Sequence, residues 1–188
     1  MTAVAEPLLP LPVAAEAIPS QGRAFPTSAW IRFCEDRPDE CAVDLFQQAR
    51  INLSPSQWRA IVEVNRRVNA MILPVTDQDH WGVLDRWDYP DDGMGDCEDI
   101  QLLKRRLLTK AGLPQRAMRM AVVLDEKGEG HAVLMLLTDR GDFILDNKRN
   151  EVLPWQETGY VYHKREGTNS AAWVALGDMM APIVTANR

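Results

Sequence analysis

Gly95-Asp96-Cys97-Glu98-Asp99-Ile100-Gln101-Leu102-Leu103-Lys104 is the stretch around which the chain organises itself. A glycine and an aspartate precede a thiol, and two acids follow it. From there Ile100, Leu103 and Leu107 recur along one helical side. The spacing predicts a helix over residues 98–111 that begins immediately after Cys97. Acids suit its first turn because the helix dipole is positive there. Gly112 ends the helix and Pro114 confirms the stop.

Downstream, apolar runs alternate with turn chemistry. Strands are expected over residues 119–124, 131–137, 143–146, 160–164 and 172–176. Glu126-Lys127-Gly128-Glu129-Gly130 and Asp139-Arg140-Gly141-Asp142 supply the reversals, so the first three strands read as an antiparallel meander. Upstream, Ser54-Pro55 is a helix start, and Trp58, Ile61, Val62, Val68 and Ile72 follow at helical spacing, giving a helix over about 54–72. Residues 74 to 96 read as loop, punctuated by Pro74, Pro90, Gly93 and Gly95, with Trp81 and Trp87 expected to anchor it to the core. Residues 20 to 50 read as short turn-rich pieces, with one short helix over 44–49. Helices first and strands later point to an α+β fold.

The 188 residues suit one domain with a tail, here an N-terminal arm over 1–22 and a domain over 23–188. The arm is rich in Ala, Pro, Leu and Val, lacks a basic start and is broken by prolines. It therefore reads as flexible, and as a poor signal peptide. No stretch approaches the apolar length of a transmembrane segment. Net charge is −6 without a basic face, which argues against a nucleic-acid partner.

Two of the three cysteines, Cys34 and Cys41, flank the polar stretch Glu35-Asp36-Arg37-Pro38-Asp39-Glu40, read here as a loop. Thiols at the ends of such a loop can reach bridging distance. Closing it is worth roughly 2.5 kcal/mol in the chain-entropy picture. Free thiols or a metal pair are the alternatives, and the absence of a second Cys/His pair weighs against metal. A disulfide implies an oxidising compartment, and leaves Cys97 as the odd thiol.

Cys97 sits where a helix start lowers a thiol pKa. His131 opens an apolar strand, and Asp146 closes the next. If the reversal centres on Asp139-Arg140, Val133 lies opposite Asp146 and His131 lies diagonal to it, at about 7–8 Å between Cβ atoms. That is within reach of a His–Asp hydrogen bond. A thiol, a base and an orienting acid are what nucleophilic catalysis needs. Taken singly, each has a commoner structural role: a core thiol, a satisfied histidine, a turn-forming aspartate. Their order on elements that can converge is what raises them together. Asp96 and Glu98 oppose ionisation of the thiol unless a bound cation compensates them. His80 and His163 have no comparable setting. The Cys97 backbone N–H suits an oxyanion hole, with Gln78 and Trp81 as candidates for a second donor.

Trp81-Gly82, Gly95-Asp96-Cys97-Glu98-Asp99, Gly130-His131-Ala132-Val133-Leu134 and Leu145-Asp146-Asn147 together resemble the bacterial transglutaminase-like cysteine proteinases, the family of the LapG-type periplasmic proteases. The resemblance spans about residues 27–176. It implies a papain/transglutaminase-like α+β fold with the Cys at a helix N-terminus on an antiparallel sheet. It also implies Cys97 as nucleophile, His131 as general base and acid, and Asp146 as orienting group. For the LapG-type branch it implies calcium held by Asp96 and Glu98, a periplasmic location, a protein substrate of the large surface-adhesin kind, and an inner-membrane cyclic-dinucleotide receptor as partner. The chain departs from that branch at Arg86-Trp87-Asp88-Tyr89-Pro90, where an aromatic-Trp-Ala-Thr-Pro pattern is expected, and at Asn147-Lys148-Arg149-Asn150. An acyltransferase or amidase with the same three residues, and a non-catalytic calcium-binding interaction module, are the competing readings.

Overall fold

Residues 9–177 are described in the computed structural model. The chain runs β1 (Arg23–Ala24), α1 (Ser28–Asp36), α2 (Pro38–Cys41), α3 (Pro55–Met71), β2 (Leu73–Pro74), α4 (Asp77–His80), β3 (Met94–Gly95) and α5 (Cys97–Lys110). It continues through β4 (Met118–Leu124), β5 (Gly130–Thr138), β6 (Gly141–Leu145), β7 (Leu153–Pro154), β8 (Val161–Glu166) and β9 (Trp173–Ala175). One antiparallel sheet holds the order β1-β9-β8-β4-β5-β6-β7. The five strands expected from sequence are β4, β5, β6, β8 and β9. Mixed helix and antiparallel sheet is the α+β class expected.

Alternation along the strands divides the core between the two sheet faces. Ala132, Leu134 and Leu136 of β5 join Met120 and Val122 of β4 under α1, α3 and α5. Val133, Met135 and Leu137 join Ala121, Val123 and Ile144 on the other face, with Tyr160, Tyr162 and Ile18. Burying such side chains contributes about 1.5–3 kcal/mol each. Part of the N-terminal arm supplies that second face. Ile18 is buried and its N–H donates to Asp142 Oδ2 at 2.9 Å, while Ala15 N–H donates to the Arg140 carbonyl at 2.8 Å. Over its described part the arm is thus hydrogen-bonded to the domain, where flexibility was expected; residues 1–8 of the arm and 178–188 of the domain lie outside the described residues.

Helix α3 begins as its sequence dictates. Ser54 Oγ accepts from Gln57 N–H, the Gln57 side chain accepts from Ser54 N–H, and Pro55 occupies the first position. Replacing Ser54 by alanine is expected to lower unfolding free energy by about 1 kcal/mol, read as a midpoint shift in urea with unchanged slope.

Several local expectations are corrected. Residues 28–36 form α1, with Thr27 as N-cap and Trp30 and Phe33 buried. Cys34 and Cys41 are bridged, with Cα atoms 5.7 Å apart, but they lie within α1 and at the end of α2, not at the ends of a loop. Residues 44–49 form turns and bends and no helix. Leu45 and Phe46 are exposed there, so a helix would have no apolar face to bury, and Arg116 takes up the carbonyls of Leu45 and Gln47. Trp87 does anchor its loop, 5.2 Å from Trp30 between ring centroids. Trp81 does not: it is exposed, stacked on His80 at 3.9 Å with the Arg86 guanidinium 4.5 Å from its ring centroid.

Candidate active site

The stretch read as loop over 74 to 96 is held at both ends. Strands β2 and β3 pair in parallel, Leu73 with Met94 and Pro74 with Gly95, and α4 adds one helical turn between them. This pairing delivers the chain directly into Asp96, the N-cap of α5, with Cys97 as the first helical residue. Gly95 is required by close approach: a Cβ there would lie 2.8 Å from Asp99 Cβ and 3.1 Å from Pro90 Cβ.

Helix α5 packs on β5, and the Ala132 N–H points at Cys97 Sγ from 3.4 Å. The thiol therefore lies beside the start of β5, next to His131. Strands β5 and β6 pair with Thr138 opposite Gly141 and Leu134 opposite Leu145. That register puts His131 diagonal to Asp146, as the turn chemistry implies, and His131 Nε2 lies 2.8 Å from Asp146 Oδ1. His131 Nδ1 is buried without a hydrogen-bond partner.

Asp146 is a fully engaged carboxylate. Burial alone would push its pKa up; the hydrogen bond and charge of His131, and the Tyr160 hydroxyl, outweigh burial and hold it down to about 2. Being ionised, it can only accept, so His131 Nε2 carries the proton and Nδ1 is left as the basic nitrogen. The Asp146 backbone is also fixed, its carbonyl accepting from Asn69 Nδ2 of α3 at 2.9 Å.

Around the helix start lies an acid cluster larger than the sequence pair. Asp96, Glu98 and the Cys97 sulfur form one set of potential ligands, Asp77, Asp96 and Asp99 a second, and Asp77, Asp85 and Glu98 a third; within each set the ligand atoms lie within 4.8 Å of one another. Burial, then the charge of Asp77, raises Asp96 to about 7. Burial likewise raises Asp85 to about 6. Glu98 and Asp99 are raised well above the carboxylate range by burial and by the charge of Asp96. Asp96 Oδ1 and Glu98 Oε1 are buried without hydrogen-bond partners. Buried, mutually repelling oxygens with unused lone pairs are a donor set for a hard divalent cation. The Cys97 thiol donates to Glu98 Oε2 at 3.0 Å, and burial, then the charges of Glu98 and Asp96, push its pKa well up.

The Ala132 N–H contact thus sets the Cys97 sulfur one residue along β5 from His131, His131 Nε2 meets Asp146, and Asp96 and Glu98 flank the thiol. Gln78 lies on the exposed side of α4, and Trp81 stacks on His80 away from the core. His80 pairs with Asp92 at 2.9 Å, and His163 is buried in β8. Sequence reasoning missed Asp77, Asp85 and Tyr160. Nothing local in the sequence signalled Asp77 or Asp85, and nothing in a strand-edge tyrosine signalled the third.

The fold has solved counterparts. A structure of Legionella pneumophila LapG is 24% identical, with 65% of this chain and 71% of that chain covered and a TM-score of 0.54. A calcium-bound structure of the same protein is 23% identical, covers 68% and 74%, and also has a TM-score of 0.54. An EGTA-treated form is 22% identical, with 66% and 70% covered and a TM-score of 0.54. At these identities the likeness is one of fold. No curated protein matches the chain. Residues 20–181 match the family described as bacterial transglutaminase-like cysteine proteinase, which takes in β1 through β9 and every residue of the site. The chain therefore belongs to the bacterial transglutaminase-like cysteine proteinases and is a cysteine peptidase.

Proposed function

We propose that this peptidase is a calcium-dependent endopeptidase working through Cys97, His131 and Asp146. The observation that carries the proposal is the His131–Asp146 pair. Its Nε2 is committed to Asp146 at 2.8 Å while Nδ1 is buried and unused, one residue from the N–H that points at the Cys97 sulfur. His131 Nδ1 takes the thiol proton, and Cys97 Sγ attacks the scissile carbonyl. The Cys97 N–H, at the start of α5, faces the developing oxyanion. His131 returns the proton to the departing amine, leaving a thioester that water hydrolyses with His131 again as base. Asp146 keeps the tautomer and stabilises the imidazolium.

The metal role follows from the same cluster. Asp96 and Glu98, together with Asp77 and Asp85, are the residues that would hold calcium. With calcium held there, Glu98 would no longer be free to accept from the Cys97 thiol, and the charges of Asp96 and Glu98 that oppose thiol ionisation would be compensated. The calcium-bound and EGTA-treated LapG structures support the choice of ion.

The substrate of a peptidase is a protein. Likeness to the LapG-type branch supports a large surface adhesin as that protein, an inner-membrane cyclic-dinucleotide receptor as partner, and the periplasm as compartment. The Cys34–Cys41 bridge supports an oxidising compartment. No helix among the described residues is long and apolar enough to cross a membrane. Hydrolysis, as opposed to acyl transfer, predicts product formation that does not depend on added amine.

His131→Ala and Asp146→Asn test the triad. Each is expected to lower kcat by about 10^3–10^4-fold while the calcium-induced rise in melting temperature survives. Activity within tenfold of wild type in either variant, measured on a cleaved adhesin fragment, would remove that residue from the mechanism.

A further inference from the structure

We propose that Tyr160 is a positioning residue that locks the His131–Asp146 pair in its working orientation; the inference rests on the triad reading above. Tyr160 immediately precedes β8, which is separated from β5 by β4 in the sheet. Its side chain nevertheless meets both partners. The hydroxyl donates to Asp146 Oδ2 at 2.5 Å. The ring packs edge-to-face on the His131 imidazole, with centroids 5.7 Å apart and planes at 85°.

The two contacts do different work. A carboxylate turns readily about its last torsion, so one hydrogen bond to Oδ1 leaves its plane loosely defined. Here the two oxygens are anchored separately. Oδ1 accepts from His131 Nε2 at 2.8 Å and from Lys148 N–H at 3.1 Å, and Oδ2 accepts from Tyr160. The perpendicular ring packing then restricts rotation of the imidazole away from Asp146. Tyr160 is itself held. Its N–H donates to Thr158 Oγ1 at 3.3 Å, the Thr158 hydroxyl donates to the Trp155 carbonyl at 2.8 Å, and the phenol is buried. Burial and the Asp146 charge both raise the phenol pKa, so the hydroxyl keeps its proton and remains the donor. Fixing a base within a fraction of an ångström is a rate effect, not a binding effect.

Tyr160→Phe keeps the ring and removes the hydroxyl. In the calcium-loaded enzyme it is expected to lower kcat about tenfold to a hundredfold, the usual weight of a hydrogen bond to a charged group, with KM within about twofold. In an Asp146→Ala background the same substitution is expected to change kcat by less than about twofold, because its target is gone. An equal loss in both backgrounds would mark Tyr160 as merely structural and overturn the proposal. A second measurement is independent of turnover. In 15N-labelled protein, solvent exchange of the His131 Nε2 proton is expected to accelerate at least about tenfold in Tyr160→Phe. Unchanged exchange overturns the proposal even if the enzyme is active. Absence of any peptide hydrolysis by the wild type, with the exchange effect intact, would instead sink the triad reading and leave the positioning role standing.

Discussion

Cys97→Ala is expected to abolish peptide hydrolysis, with a loss on the order of 10^6-fold, and to leave the melting temperature within a few degrees of wild type. The size of the loss follows from removing the nucleophile, since the remaining site can only bind and polarise the substrate. The small effect on stability follows from the packing. Cys97 is fully buried at the start of α5 against β5, and alanine removes one sulfur whose contacts include Glu98 Oε2 and the Ala132 N–H. Measuring kcat and thermal unfolding on the same calcium-loaded preparation separates the two. Cys34 and Cys41 cannot substitute, because both are consumed in the bridge between α1 and α2.

Calcium removal is expected to produce the second large effect. With the ion at a hundred times its Kd, binding is expected to stabilise the domain by about 2.7 kcal/mol, or roughly 5–11 °C for a domain of this size. Asp96→Asn is expected to remove most of that shift, and Asp77→Asn and Asp85→Asn to weaken it. The chelated protein should also show a diagnostic pH dependence. Asp96 is raised to about 7 and Asp85 to about 6, while carboxyls in the unfolded chain titrate near 4. Between those values the folded state holds protons that the unfolded chain has released. The stability that these two carboxyls contribute in chelator is therefore fully present below about pH 4 and lost as pH rises to about 7. Saturating calcium should flatten that slope, because the bound ion replaces the protons. A slope that persists unchanged in calcium, or no thermal shift at all, would detach the acid cluster from metal binding.

The His131–Asp146 pairing was legible in the sequence because it depends on local rules. Asp139-Arg140 set the reversal, the reversal set the β5–β6 register, and period-two alternation put His131 and Asp146 on one face. The start of α5 was legible for the same kind of reason, from Gly95 and the acids around Cys97 at one end and Gly112 at the other. Residues placed by long-range pairing were not. Asp77 and Asp85 reach the cluster only because β2 lies alongside β3, a two-residue parallel pair without any periodic signal. Helix α1 carries a local signal: Thr27 caps it, and Ala29, Trp30 and Phe33 have helical spacing. Its short length and the prolines around it hid the pattern. Tyr160 could be assigned to a strand edge, but not to Asp146, because β4 and β5 both intervene between their strands.

The most direct test of Cys97 as a calcium-enabled nucleophile is intact-protein mass spectrometry after brief iodoacetamide treatment at neutral pH, with and without calcium. One adduct, mapped to Cys97, formed at least about tenfold faster with calcium and slowed again in His131→Ala, is the expected result. A Cys97 that stays unmodified in both conditions, or reacts equally in both, contradicts it.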